Sequence, residues 1–396
     1  MKAGIAAIIL GYVLSQFYRA FLAVLAPVLG PELGATPQDL AAASGWWFLA
    51  FAVMQIPVGE ALDRVGPRAT TACLMVVGAG GAAIFASATA PGTISIAMAL
   101  IGVGCSPVLM AAYFIFARSF SPAVFGTLAG MVIGIGSLGN IGASLPLTWA
   151  VEAFGWRATI WGLAAMTLAV ALVIALVLRD PPKVAGGAKG SVLDLLAMPG
   201  LWPILIMMAA CYGPQAGLRG LWVGPYLSDV HGAGAGVIGA VTLAMGLAMV
   251  VGNFAYGPLD RLLGTRKWLI FGGNFGVLLA FGGLILWPTA SLIWIVAMVI
   301  AIGLMGSSFP MVMAHGRAFL PPHLVGRGVT LLNLFGIAAA GLMQFVTGRI
   351  HAGLTPSIDI LTSAPPATPY LGIFAFYAGI IVLGLTIYLF ARDRTD

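Results

Sequence analysis

Charge is what this chain has least of. Only 8% of its 396 residues are Asp, Glu, Lys or Arg, and 61% are hydrophobic. With a mean hydropathy of +1.05, a chain of this length could not hide its apolar surface in one aqueous globule, which points to a membrane protein. Cysteine is also scarce. Cys73, Cys105 and Cys211 all fall in apolar stretches without metal-finger spacing, so they read as small packing residues. No metal, cofactor or nucleic acid partner is expected. The net charge of +6 comes from cations scattered over short loops, not from a contiguous basic patch. Paired carboxylates, a nucleophile–base set and a metal cluster are all missing at any common depth, which argues against an enzyme.

What the chain does have is long apolar runs. Their spans are 4–30, 38–60, 69–88, 93–117, 126–150, 158–178, 201–228, 237–259, 268–287, 292–316, 328–350 and 371–391. None alternates in the manner of a barrel strand, so helices are expected. The first run has no A-x-A-like cleavage site and reads as a retained helix. With the N-terminus inside, Lys2, Arg64, Arg68, Arg118, Arg179, Lys183, Lys189, Arg261, Arg266, Lys267, Arg317, Arg327, Arg392 and Arg394 face the cytoplasm. The outer side receives only Arg157 and Arg349. That bias places both termini in the cytoplasm, in a plasma (inner) membrane.

"RDPPKVAGGAKGSVLDLLAMPG" (179–200) is the natural linker between an N-terminal six-helix bundle (1–178) and a C-terminal one (201–396). The halves echo each other. "APVLGPELG" (26–34) matches "GPYLSDVHG" (224–232), "DRVGPR" (63–68) matches "DRLLGTRK" (260–267), and "ARSFSPAVFG" (117–126) matches "GRAFLPPHLVG" (316–326). Three matches in one order imply duplication of a six-helix unit.

With these features in hand, the chain resembles the major facilitator superfamily. Gly59, Asp63, Arg64, Gly66 and Arg68 fit the family's G-x-x-x-D-R-x-G-x-R loop between helices two and three. In the second copy Gly257 and Gly264 are each one residue out of register, so only Asp260, Arg261, Arg266 and Lys267 carry over. "FGWR" (154–157) before helix six is also common in the family. The resemblance implies twelve transmembrane helices in two pseudo-symmetric six-helix bundles, an all-α membrane protein that transports by alternating access. The acid and cations of the loop are expected to gate it through bonds between helix ends. In proton-driven exporters of the family an arginine precedes a helix-four glycine by four residues; before Gly102 that place is Met98. Family antiporters often carry a G-P pair in helix five, whereas "GIGSLGNIG" (134–142) has no proline. Both departures argue against drug/proton antiport.

"VLSQFYRAFLAVLAPVL" (13–29) carries Arg19 near its middle, and "YGPQAGLRGLWVGPYL" (212–227) carries Arg219. Every carboxylate of the chain lies near or beyond a span end. Glu32, Asp39, Glu152, Asp229 and Asp359 fall on the outer side; Glu60, Asp63, Asp180, Asp194, Asp260, Asp393 and Asp396 fall on the inner side. A charge at mid-bilayer costs at least about 2.5–3.5 kcal/mol and belongs in a bundle interior or a wet cavity. In the resembled fold the first helix of each half lines the central cavity. Gln16 and Tyr18 beside Arg19, and Tyr212 and Gln215 beside Arg219, complete the expected binding set. Gly213–Pro214 should loosen helix seven there. Two guanidiniums in acid-free spans favour a small anionic substrate, an organic carboxylate or other oxyanion.

Lesser signals fit around this. Trp46 and Trp47 are expected to anchor helix two at the interface. "GAGGAA" (78–83) sits inside a helix and signifies close packing, not a dinucleotide loop. His315 is a possible protonation switch near the inner gate. His231, His323 and His351 are expected to be solvated. Met311 with His315, and Met245 with Met249, share a spacing that could suit a soft metal such as Cu(I), which makes copper import a minor alternative. Export of an amphipathic compound such as a siderophore or drug is the main one. A transporter-like sensor would need a larger cytoplasmic extension. A monomer in the lipid bilayer is expected.

Overall fold

The computed structural model describes residues 2–120, 122–182, 192–321, 325–355 and 367–394. Residues 183–191 of the linker, including Lys183 and Lys189, lie outside the described residues, as do His323, Asp359 and Asp396. The described residues form helices and contain no strand. Ten helices are long and apolar enough to cross a membrane, and two bent pairs raise the number to 12. In lipid, a helix is the one open-ended way to satisfy every backbone group.

Contacts divide the chain into two compact units, Met1–Ala185 with Ala235–Ala240, and Gly186–Gly234 with Val241–Asp396. The first unit runs α1 (Lys2–Tyr18), α2 (Leu22–Leu33), α3 (Pro37–Arg64), α4 (Pro67–Ala86), α5 (Pro91–Cys105), α6 (Val108–Ser119), α7 (Pro122–Gly142), α8 (Leu145–Phe154) and α9 (Trp156–Val177). Four of these helices open on proline, whose missing N–H falls among the orphan donors of the first turn. A capping box starts α3: Thr36 Oγ1 accepts from the Asp39 N–H at 3.2 Å while the Thr36 N–H donates to Asp39 at 2.9 Å.

The second unit runs α10 (Val192–Leu196), α11 (Trp202–Gly217), a π-helical turn (Leu218–Trp222), α12 (Val223–His231), α13 (Ala235–Leu263), α14 (Arg266–Leu286), α15 (Leu292–Met305), α16 (Phe309–Arg317), α17 (Val325–Leu354) and α18 (Thr368–Tyr388).

Two expected spans are broken. The first bends by 51° between α1 and α2, and the fifth by 42° between α7 and α8. Pro146, at the start of α8, explains the second break, since it cannot donate to the preceding turn. No proline or glycine occurs between Tyr18 and Leu22. Tertiary contacts hold that break: Tyr18 is tied to Thr167 at 2.9 Å, and the Phe21 ring packs 5.2 Å from Phe85. The helix-five glycines serve close packing. A Cβ on Gly139 would fall 1.9 Å from the Val13 carbonyl oxygen, so α7 meets α1 backbone to backbone.

Candidate functional site

Arg19 sits at the break between α1 and α2, and it is only 9% exposed. Its Cζ lies 5.1 Å from the Trp47 ring centre and 4.9 Å from that of Phe51. Those two rings stack on each other at 5.2 Å, one turn apart on α3. The guanidinium is thus held by π faces from the second span. Such contacts are worth about 2 kcal/mol when desolvated. Trp47 therefore corrects the expectation of a pair of interfacial anchors. Trp46 is 48% exposed, but Trp47 is 1% exposed and turned inward. One turn further along α3, Gln55 donates to the carbonyls of Phe51 and Ser106, tying the span to the end of α5.

The other residues expected around Arg19 fall differently. Gln16 is half-buried and donates to the Tyr12 hydroxyl at 3.0 Å. The break interrupts the helical face it was expected to share with Arg19. Tyr18 is buried, its hydroxyl 2.9 Å from Thr167 Oγ1, a contact that ties α1 to α9 inside the first unit.

Arg219 lies in the π-helical turn and is 5% exposed. The sequence supplies the irregularity. Pro214 withholds a donor one turn before it, Pro225 withholds one just after, and Gly217 lets Tyr377 approach. A Cβ on Gly217 would fall 2.0 Å from the Tyr377 hydroxyl oxygen. α11 itself runs unbroken through Gly213–Pro214, so the loosening falls at residues 218–222. Gln215 faces the fourth span of its unit. It is buried, and its amide donates to the Gly303 carbonyl at 3.2 Å. Widening of the turn by the π segment also shifts the four-residue phase between Gln215 and Arg219. Tyr212 is half-buried, with its ring 4.8 Å from Phe309.

At the far end of the same π turn, Trp222 donates to Thr347 Oγ1 at 2.9 Å and stacks on His351 with 5.2 Å between ring centres. His351 is buried, which corrects its expected solvation. Tyr370 packs against His351 and donates to the Asp229 carboxylate.

The loop motif resolves into helix caps. Gly66 has φ +108°, and a Cβ there would meet the Asp180 carboxyl carbon at 2.8 Å. Asp180, just past α9, accepts from the Arg68 backbone N–H at 2.7 Å, and so caps α4. Asp63 pairs with Arg118 of α6 at 3.1 Å, while Arg64 pairs with Glu60 on its own helix at 2.8 Å. Gly59 lies within α3, and a Cβ would meet nothing.

The second copy reaches the same end by another route. Gly264, φ +64°, ends α13, and Thr265 caps α14, which accounts for the shifted glycine register. Asp260 pairs with Arg266 at 3.3 Å, and Arg261 is exposed. Asp393, beyond α18, accepts from Thr265 Oγ1 at 2.5 Å and from the Lys267 N–H at 3.0 Å. The last helix of each unit is therefore followed by an aspartate that caps the unit's third span. Nothing in residue spacing announced this pairing. The "FGWR" stretch is a clamp of the same kind: Arg157 donates to the carbonyls of Ala86 and Ala88 at 3.1 and 2.8 Å, and Trp156 donates to Glu32 at 2.7 Å.

His315 is fully buried. Its Nδ1 lies 2.6 Å from the Tyr388 hydroxyl and its Nε2 3.0 Å from the Arg392 carbonyl oxygen. The Arg394 backbone N–H also points at Nε2, at 3.4 Å, so the ring is hydrogen-bonded at both nitrogens. Both nitrogens are thereby committed, and none is left for the soft-metal site considered with Met311.

Comparison with known proteins follows this geometry. The Major Facilitator Superfamily model matches residues 8–344. A bacterial homologue of the human lysosomal transporter Spinster, in an inward-facing and occupied conformation, superposes with TM-score 0.75 at 17% identity, covering 98% of this chain and 96% of that one. The nucleoside transporter NupG gives 0.76 at 14% identity, covering 98% and 99%. A D-xylose–proton symporter gives 0.79 at 12% identity, covering 100% and 98%. No curated protein matches the chain in sequence.

Proposed function

We propose, for a chain that belongs to the major facilitator superfamily, that it carries a small anionic solute, an organic carboxylate or other oxyanion, by alternating access. That it is an integral membrane transporter and not an enzyme follows from the family; the anion is our inference from its residues. One observation supports it above the others. Each unit buries an arginine at an interruption of its first span, Arg19 at the α1–α2 break and Arg219 in the π turn. Buried guanidiniums at broken helices suit bidentate recognition of a carboxylate, and broken spans are where transporters of other folds hold charged substrates.

Both termini are proposed to be cytoplasmic, in the plasma (inner) membrane, from the distribution of Lys and Arg. The acids lie near or beyond the span ends, so exchange, facilitated flux or a proton travelling with the solute is proposed over a dedicated carboxylate relay. Export of an amphipathic siderophore or drug remains the alternative. Met98, buried where exporters of the family carry an arginine, argues against it.

Thermal unfolding of the purified protein against a panel of small carboxylates and oxyanions tests the proposal. At a hundred times Kd a ligand stabilises by about 2.7 kcal/mol. At least one anion should raise Tm in the wild type and not in the Arg19→Gln/Arg219→Gln variant. A panel without any such anion would refute the proposal.

A further inference from the structure

Gln344 is completely buried, and neither end of its side-chain amide makes a hydrogen bond to the described residues. Because both Oε1 and Nε2 are in this condition, exchanging the two atoms would change nothing. An amide so placed bears the full cost of its desolvation with no hydrogen bond to offset it. It sits in the middle of the buried stripe of α17 made by Ile337, Ala340, Gln344, Thr347 and His351. Apolar packing would have served that stripe better.

It lies on the helix that packs beside Arg219's own, within about two turns of it along the pair. α11 and α17 run side by side in the same direction: Gly213 abuts Met343, and Trp222 donates to Thr347 at 2.9 Å. Arg219 lies three residues before Trp222, and Gln344 lies three before Thr347. Counted back from that hydrogen bond each stands three residues down its helix, whereas counted up from the Gly213–Met343 contact Arg219 stands six residues on and Gln344 one, so the two lie within about two turns of each other. The first unit repeats the arrangement. Gly139 of α7 abuts the backbone of Val13 and Phe17, just before Arg19, and the next residue is again an amide, Asn140. Asn140 is half-buried, and its Oδ1 makes no hydrogen bond to the described residues.

Resting on the anion reading above, we infer that Gln344 binds the substrate together with Arg219, and that the substrate is a hydroxycarboxylate. The inference follows from hydrogen-bond accounting. Nε2 needs an acceptor and Oε1 needs a donor. A carboxylate, nitrate or sulfate only accepts, so it would leave Oε1 unmet. A hydroxyl group both donates and accepts, and so can meet either end of the amide. The carboxylate is then left for the guanidinium.

Uptake by proteoliposomes of paired radiolabelled acids, lactate against propionate and malate against succinate, tests this, with nitrate as the hydroxyl-free oxyanion. The wild type should favour the hydroxylated member of at least one pair by about tenfold or more in kcat/KM, and should carry nitrate poorly. Gln344→Met, of similar length but without the amide, should bring the ratio close to one by slowing the hydroxylated acid while sparing the other. Its Tm should not fall, because no hydrogen bond is lost. Gln344→Asn, which keeps an amide, should retain part of the preference, and it serves as the test should the Met variant not fold. A wild type that carries both members of each pair equally overturns this inference and leaves the anion proposal standing. So does a preference that survives in Gln344→Met, which would mean the amide holds only a structural water. A wild type that carries no carboxylate overturns both.

Discussion

The Arg19 guanidinium lies over the indole of Trp47, 5.1 Å from the ring centre, with the Phe51 ring at 4.9 Å. Cation and rings hold one another at the point where the first span breaks. Trp47→Leu should therefore lower thermal stability through lost packing, by about 3 kcal/mol or more for so large a buried ring. It should also weaken anion binding, because the guanidinium is no longer positioned. Trp47→Phe keeps a π face and should preserve most of the binding. Unfolding curves and anion titrations of the two variants check this. Equal anion affinity in Trp47→Leu and wild type would refute the positioning role.

Gly66 and Asp180 form a coupled pair. Gly66→Ala places a Cβ in a positive-φ, extended-ψ backbone that glycine almost alone adopts, at about 1–3 kcal/mol, and drives it against the Asp180 carboxyl group, 2.8 Å away. Asp180→Ala loses the cap on α4, at about 0.5–2 kcal/mol. In the Asp180→Ala background the Gly66→Ala cost should shrink by at least about 0.5 kcal/mol, as expected of residues in contact. A double-mutant cycle on thermal or denaturant unfolding measures the difference, and strict additivity would contradict the geometry.

Asp393 makes stability depend on acid. Burial by itself would raise its pKa, but hydrogen bonds from Thr265 and the Lys267 N–H hold it below the ordinary 3.8. A group with a depressed folded pKa contributes stability that is fully present above the ordinary value. That contribution is lost as pH falls through the lower folded value. Wild-type Tm should therefore drop on acidification below about pH 4. Asp393→Asn should remove part of that drop and begin from a lower Tm at neutral pH. Parallel slopes for the two proteins would contradict the capping role.

Much of this architecture is legible in the sequence, and the limits are physical. Span lengths, the duplicated loop motifs and the depth of Arg19 and Arg219 follow from hydropathy and repetition. Hydropathy does not tell which way an aromatic faces, because lipid and bundle interior are equally apolar. Trp46 and Trp47 are adjacent and alike in sequence, yet one faces out and the other holds a cation. The break after Tyr18 has no local breaker and depends on Thr167 and Phe85, far along the chain. Gln344, Thr347 and His351 did carry a signal. Polar residues spaced i, i+3, i+7 within an apolar span belong on the interior face, so the burial of His351 could have been anticipated. The caps by Asp180 and Asp393 were hidden because each crosses a whole unit.

If, as proposed, the guanidiniums of Arg19 and Arg219 attract the transported anion, uptake by proteoliposomes must depend on both. Wild-type protein should take up at least one organic acid or oxyanion. Arg19→Gln and Arg219→Gln should each cut that uptake by about tenfold or more, in keeping with the loss of a charge-assisted hydrogen bond, while the proteins stay folded. Uptake left unchanged by both substitutions would contradict the proposal.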